Sequence, residues 1–177
     1  GFYRVCYMPA ETPKVTIVLL NVRDAGTLKR LARMTSRQAG YSNYEILVLL
    51  ENPKKNKIIL NFIKEHRQTP IKVVYCNSAC NKFVTFSSLA EKMDSDYLLF
   101  LDGRTGNITR GFMDLFLGSA QRADIGAVGG RVYDDRRRLW YGIKVLGLKG
   151  TVGDAFEGLK AGYTGYFHKA ILQQNCH

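Results

Sequence analysis

Along most of this chain, strand-sized apolar runs alternate with segments of helical period, and few folds accept that order. Lys14–Leu20 is β-branched and aliphatic and follows Pro9 and Pro13, so it reads as a buried first strand. Thr27–Gln38 sets Leu28, Leu31, Ala32 and Met34 on one face with basic residues between them, which predicts an amphipathic helix whose start is marked by Asp24 and Gly26. A turn follows at Gly40. Tyr44–Leu50 is a second buried strand, and Ile58, Ile59, Phe62 and Ile63 then recur at helical spacing up to His66. Pro70 ends that segment, Ile71–Tyr75 makes a third strand, Phe83–Met93 a helix and Tyr97–Leu101 a fourth strand. Gly111–Gln121 reads as a further helix, Gly126–Tyr133 as a strand and Asp134–Arg137 as a polar turn.

Alternation on this scale is the signature of βαβ units, so the expected class is α/β with a mostly parallel central sheet. Such sheets bind ligands beyond the carboxyl ends of their strands. Two loops therefore matter most, the one after Leu50 and the one after Leu101. The second begins Asp102-Gly103-Arg104-Thr105-Gly106-Asn107, two glycines and a carboxylate where a phosphate or metal site is expected. From Trp140 onward the chain is glycine-rich and less periodic, and loops and short strands are expected. The whole, 1–177, reads as one domain that is incomplete: an extended lead-in over 1–13, a core over 14–133, and a following region over 134–177. The start, Gly1-Phe2-Tyr3-Arg4, has neither an initiator Met nor a secretory pattern, and the chain reads as excised from something longer.

Composition narrows the function classes. Hydrophobic residues at 46% and charged residues at 23% belong to an ordinary globular protein. The apolar runs fall far short of the ~20 residues a membrane span needs. A net charge of +11 attracts anions: nucleotide phosphates, acidic headgroups or nucleic acid. The basic residues are scattered, however, with local clusters only at Lys54-Lys55-Asn56-Lys57 and Arg136-Arg137-Arg138, and no nucleic-acid motif frames them; both clusters read as solvated turns. Cys76 and Cys80 have no second Cys/His pair at zinc spacing, and with Cys6 and Cys176 they read as free thiols in a reducing cytoplasm. His66 and His168 read as surface histidines.

Four stretches, taken in order, resemble family 2 glycosyltransferases over nearly the whole chain. Pro13–Asn21 looks like that family's opening strand, Tyr44–Val48 like its second, and Asp96–Asp102 like the strand entering its DXD motif. Ala120–Gly130, Val145–Leu148 and Gly162–Phe167 resemble the large bacterial members that build O-antigen and other cell-surface polysaccharides. The resemblance implies a GT-A fold, a Rossmann-like three-layer sandwich. It implies a nucleotide-diphosphate-sugar donor at the strand ends, a polysaccharide or lipid-linked acceptor, and transfer with inversion. It also implies a divalent cation, Mg or Mn, on the DXD carboxylates, neutralising charge on the departing diphosphate, and a separate carboxylate as general base.

Matched residue by residue, the donor site falls on Asn21, Glu51, Asp102 and Arg104, with Asp102 as the metal ligand. The carboxylate usual at the end of the second strand falls on Leu50, with Glu51 one residue later. In the DXD position the first Asp stands as Asp102, the middle residue is Gly103, and Arg104 replaces the last Asp. An Arg there carries permanent charge and binds phosphate oxygens bidentately, so a metal-independent donor site is physically possible. The resemblance places the general base beyond His177, and no residue here is assigned that role. The implied location is cytoplasmic, with peripheral contact to the inner membrane face through basic surface. Two other functions stay open: a catalytically degenerate GT-A module serving as a scaffold or partner-binding domain, and nucleic-acid binding by charge alone, which is not expected.

Overall fold

The computed structural model of the chain describes residues 5–50, 56–65, 71–75, 82–146, 148–165 and 168–172. They form two compact units divided between Gly118 and Ser119, with residues 5–7 belonging to the second.

The first unit is an α/β layer structure. Strands β1 (Val15–Leu20), β2 (Tyr44–Leu50), β3 (Ile71–Tyr75) and β4 (Tyr97–Asp102) form one sheet in the order β3-β2-β1-β4, and every pairing is parallel. Helices α1 (Ala25–Gln38), α2 (Lys57–Glu65), α3 (Lys82–Ala90) and α4 (Phe112–Ala120) follow the four strands in turn. Parallel register puts Val15, Ile17 and Leu19 on the same face as Ile46, Val48 and Leu50, and as Leu101. That face forms one buried cluster with Leu28, Leu31 and Met34 of α1, Ile59 of α2, and Phe112, Met113 and Leu117 of α4. Phe100, on the opposite face, meets Phe86 of α3 with ring centroids 5.0 Å apart. Val18 and Leu47 on that face are buried as well, which explains why β1 and β2 read as continuous apolar runs.

Asp24 starts α1: its backbone is extended, and its carboxylate accepts the Thr27 N–H at 2.7 Å and the Thr27 hydroxyl at 3.1 Å. Those bonds hold the Asp24 carboxyl below its ordinary value. The helix thus begins two residues before the expected Thr27.

At the amino ends of the strands a polar cluster closes the sheet. The Thr16 hydroxyl donates to Glu45 Oε1 at 3.0 Å and lies 2.5 Å from Ser95 Oγ, and Lys72 pairs with Glu45 Oε2 at 2.7 Å. Burial pushes the Glu45 carboxyl up, but the Lys72 and Thr16 hydrogen bonds, with the charges of Lys72 and Lys14, outweigh it and hold the group below its ordinary value. Buried Thr35 differs, since its hydroxyl has no hydrogen-bond partner. The two threonines should therefore respond oppositely to the same change. Thr16→Val removes a bond to a buried carboxylate and is expected to cost ~1–3 kcal/mol, whereas Thr35→Val relieves a desolvated hydroxyl and should be neutral or stabilising. Urea unfolding of the two variants checks this, and equal shifts would refute it.

The second unit holds two antiparallel ribbons, β5 (Val132–Tyr133) with β6 (Leu139–Tyr141), and β7 (Ile143–Leu146) with β8 (Val152–Ala155). The expected strand over Gly126–Tyr133 is reduced to its last two residues, and it pairs with β6 rather than joining the parallel sheet. Gly126, Gly129 and Gly130 bring no side chains to bury, and residues 126–131 are largely exposed, so nothing pins them to a sheet face. The turn at Asp134–Arg137 forms as expected: the Asp134 carboxylate accepts the Arg138 N–H at 2.6 Å, and Arg137 is left-handed at φ 59°. Lys144 and Asp154, paired in register across β7 and β8, form an ion pair at 2.5 Å.

Candidate functional site at the carboxyl edge of the sheet

β1 and β4 are neighbours and end together, with Leu20 in register with Asp102. Asn21, just past β1, and Asp102, at the end of β4, therefore meet although 81 positions separate them. The Gly103 N–H donates to Leu20 O at 2.7 Å, extending the ladder by one bond. Asn21, immediately after β1, has φ 55°, a left-handed conformation that Asn tolerates better than most side chains. From that position its Nδ2 donates to Asp102 Oδ2 at 2.7 Å.

Asp102 closes β4 instead of opening the loop beyond it. Its Oδ1 accepts the Arg104 N–H at 2.8 Å, a local turn of the kind short carboxylates favour. Arg104 Nε also reaches Oδ1 at 2.9 Å, and Nη2 reaches Oδ2 at 3.2 Å. These contacts make a two-pronged ion pair. The Arg104 guanidinium, opposed by partial burial and helped by the Arg104 N–H and by Asn21, holds the Asp102 carboxyl at about 2. Because the folded value lies below the ordinary value of 3.8, the ionised carboxylate stabilises the fold above about pH 3.8. That contribution is lost as pH falls from about 3.8 to about 2. Asp102→Asn should accordingly be less stable than wild type at pH 6, with the gap closing by pH 2. Thermal unfolding of both proteins across that range reads the effect, and a constant gap would contradict it.

The loop after Asp102 is held from a second direction. Arg30 of α1 donates through Nη2 to Gly103 O at 2.6 Å and through Nη1 to Thr105 O, while the Thr105 N–H returns to Asp102 O at 2.9 Å. Sequence reasoning missed Arg30. It is one of several basic residues on an amphipathic helix, and only the packing of α1 beside β4 sets it against a loop more than 70 residues away.

Of the residues expected to line a donor site, Asn21, Asp102 and Arg104 are brought into one hydrogen-bonded group, and Glu51 lies outside the described residues. Leu50, where the family resemblance implies a carboxylate, is 2% exposed and belongs to the core cluster. His66, Cys76, Cys80, Cys176 and the lysines at 54 and 55 also lie outside the described residues. Cys6 is exposed, and His168 sits in the second unit.

The donor set of Asp102 bears on the divalent cation. A carboxylate offers about four lone-pair positions. Arg104 N–H, Nε and Nη2 and Asn21 Nδ2 point four donors at them. A divalent cation, which needs several hard oxygen ligands, would have to displace Arg104 or Asn21 to reach Asp102. Among the described residues no group of three or more His, Cys, Asp or Glu side chains gathers around it. Arrangement and charge fit an Asp–Arg pair and do not fit a carboxylate cage for Mg or Mn.

This four-stranded parallel sheet with helices on both faces, and polar residues gathered at its carboxyl edge, is a Rossmann-like α/β fold, and its likeness to a solved mannosyltransferase is consistent with the GT-A type. The structure of the mannosyltransferase PcManGT from Pyrobaculum calidifontis, in complex with GDP-Man and Mn2+, is similar with a TM-score of 0.58 and 14% identity, over 76% of this chain and 39% of that one. In sequence, the O-antigen biosynthesis protein RfbC of Myxococcus xanthus is 24% identical over 160 residues, covering 90% of this chain and 12% of the relative's own length. No protein-family model matches the chain. No helix among the described residues is long and apolar enough to cross a membrane.

Proposed function

We propose that this chain is the donor-binding part of a glycosyltransferase, holding a nucleotide-diphosphate-sugar at the carboxyl edge of the parallel sheet for transfer to a polysaccharide or lipid-linked acceptor. The observation that carries the reading is the Asn21–Asp102–Arg104 group at the adjoining ends of β1 and β4, where α/β folds of this kind bind ligands. The likeness in fold to PcManGT and the sequence likeness to RfbC support it.

Each residue has a role set by its chemistry. The Arg104 side chain is 63% exposed and carries a permanent positive charge, suited to the oxygens of a diphosphate. Asp102 orients that guanidinium from below, and Asn21 fixes Asp102. Arg30, by holding Gly103 and Thr105, keeps the loop in the conformation that presents Arg104. In this reading Arg104 supplies the charge that a cation supplies elsewhere, stabilising the negative charge that develops on the leaving diphosphate. Glu51 is assigned to the base or ribose, as the sequence resemblance suggests.

Metal dependence gives the sharpest test. Titration calorimetry with GDP-, UDP- and dTDP-sugars should find one preferred donor whose affinity stays within ~2-fold when Mn2+ is replaced by a chelator. Strict dependence on Mn2+ would overturn the role given to Arg104. Silence across all donors in a well-folded sample would favour the other reading, a GT-A module kept as a scaffold.

A further inference from the structure

The outward face of α1 carries a cationic stripe that the donor site does not use. Lys29, Arg33 and Arg37 recur every four residues, and Arg30 lies beside them. All four are exposed. The helix contains no Asp or Glu, and its nearest carboxylate, Asp24, is engaged in capping the helix. Among the described residues the side chains of Lys29, Arg33 and Arg37 have no ion-pair or hydrogen-bond partner. Together with Gly26, Met34 and Gln38 these cations border an open, shallow surface groove, every lining residue of which belongs to α1.

We propose that this groove binds an extended anion made of several phosphate groups in series. The rise of the helix puts Arg33 and Arg37 ~6 Å apart along the axis and Lys29 and Arg37 ~12 Å apart, so a single phosphate spans only part of the stripe while a phosphate chain meets all of it. Two arginines offer paired N–H groups to phosphate oxygens, and Lys29 adds a point charge. A membrane surface fits less well. The apolar residues Leu28, Leu31 and Met34 of α1 are all buried, leaving this helix none to enter a lipid layer. Single-stranded nucleic acid fits less well too, because no aromatic side chain lines the groove to stack a base. Arg30 borders both sites because it also holds the loop after Asp102, but Lys29, Arg33 and Arg37 take no part in the Asp102 group, and the proposal does not depend on the donor reading.

The test is titration calorimetry of the 177-residue chain with phosphate, pyrophosphate and tripolyphosphate. Affinity is expected to rise along that series and to weaken with added salt, since the contacts are ionic. The double variant R33Q/R37Q should bind tripolyphosphate at least ~10-fold more weakly than wild type. Both substituted arginines in the double variant are exposed, and its circular dichroism should match wild type. K29Q, a single change at the other end of the stripe, should give a smaller loss in the same direction. Equal affinity for all three phosphates, or no loss in R33Q/R37Q, would overturn the proposal. So would a loss confined to R104Q, which would put the anion at the carboxyl edge of the sheet. Tighter binding to phosphatidylglycerol vesicles or to a mixed-sequence oligonucleotide than to tripolyphosphate would likewise overturn it, in favour of a lipid or nucleic-acid surface.

Discussion

Gly103→Ala is expected to lower the stability of the chain by ~1–3 kcal/mol and to loosen the donor-side residues in the same step. A Cβ at position 103 would lie 2.5 Å from Asn21 O, 3.0 Å from the Asn21 carbonyl carbon and 3.1 Å from Leu20 O. All three are backbone atoms, so no rotamer change can relieve the clash. Either the Gly103 N–H to Leu20 O bond lengthens or Asn21 shifts, and Asn21 already sits in a left-handed conformation that leaves little room to adjust. Because Asn21 Nδ2 bonds Asp102 and Asp102 holds Arg104, displacement at 103 passes directly into the proposed site. Gly106→Ala is the matched control, since nothing lies within 4 Å of a Cβ there. Urea unfolding of the two variants separates the cases. An unchanged midpoint for Gly103→Ala would show that the close approach of β1 to the loop is not a constraint.

Arg104→Ala should weaken the preferred nucleotide-diphosphate-sugar by ~10–100-fold, the range expected when a charged hydrogen-bonding partner of a phosphate is removed. Arg104→Lys keeps the charge but loses the planar fork, and an intermediate loss is expected. Arg104→Asp makes the strongest version of this test. It frees the Asp102 oxygens and sets a second carboxylate two residues on, so donor binding should become dependent on Mn2+ where the wild type is not. Calorimetry with and without the ion reads all three variants. Wild-type affinity in Arg104→Ala would remove Arg104 from the site, and loss of binding in Arg104→Asp that Mn2+ does not restore would show that the loop cannot hold a cation.

Much of the fold was legible in the order of residues because parallel strands buried on both faces leave a strong mark. Lys14–Leu20, Tyr44–Leu50, Ile71–Tyr75 and Tyr97–Leu101 each became a strand within one residue of the expected bounds. Asp24 marked the start of α1 because a short carboxylate before an amphipathic run has one good use, capping the helix. Gly126–Tyr133 misled because valine and tyrosine favour strands wherever a partner exists, and the partner for this segment is a short ribbon that sequence periodicity does not reveal.

The candidate site divides along the same line. Asn21, Asp102 and Arg104 could be named as candidates because the family resemblance falls on them, and each lies at or within two residues of a strand end. Their hydrogen bonds could not be named, since they depend on β4 lying next to β1, a crossover that places residues 81 positions apart in contact. The same adjacency leaves no room for a Cβ at Gly103, and Arg30 reaches the loop carbonyls beside it. It also turns Arg104 from an apparent charge reversal into the partner that occupies Asp102.

The sequence by itself therefore determined the four parallel strands, the helices between them and the α/β class, because these follow from local periodicity and burial. Only the tertiary structure decided what Asp102 is paired with, because strand order and backbone approach are long-range quantities that no local pattern encodes.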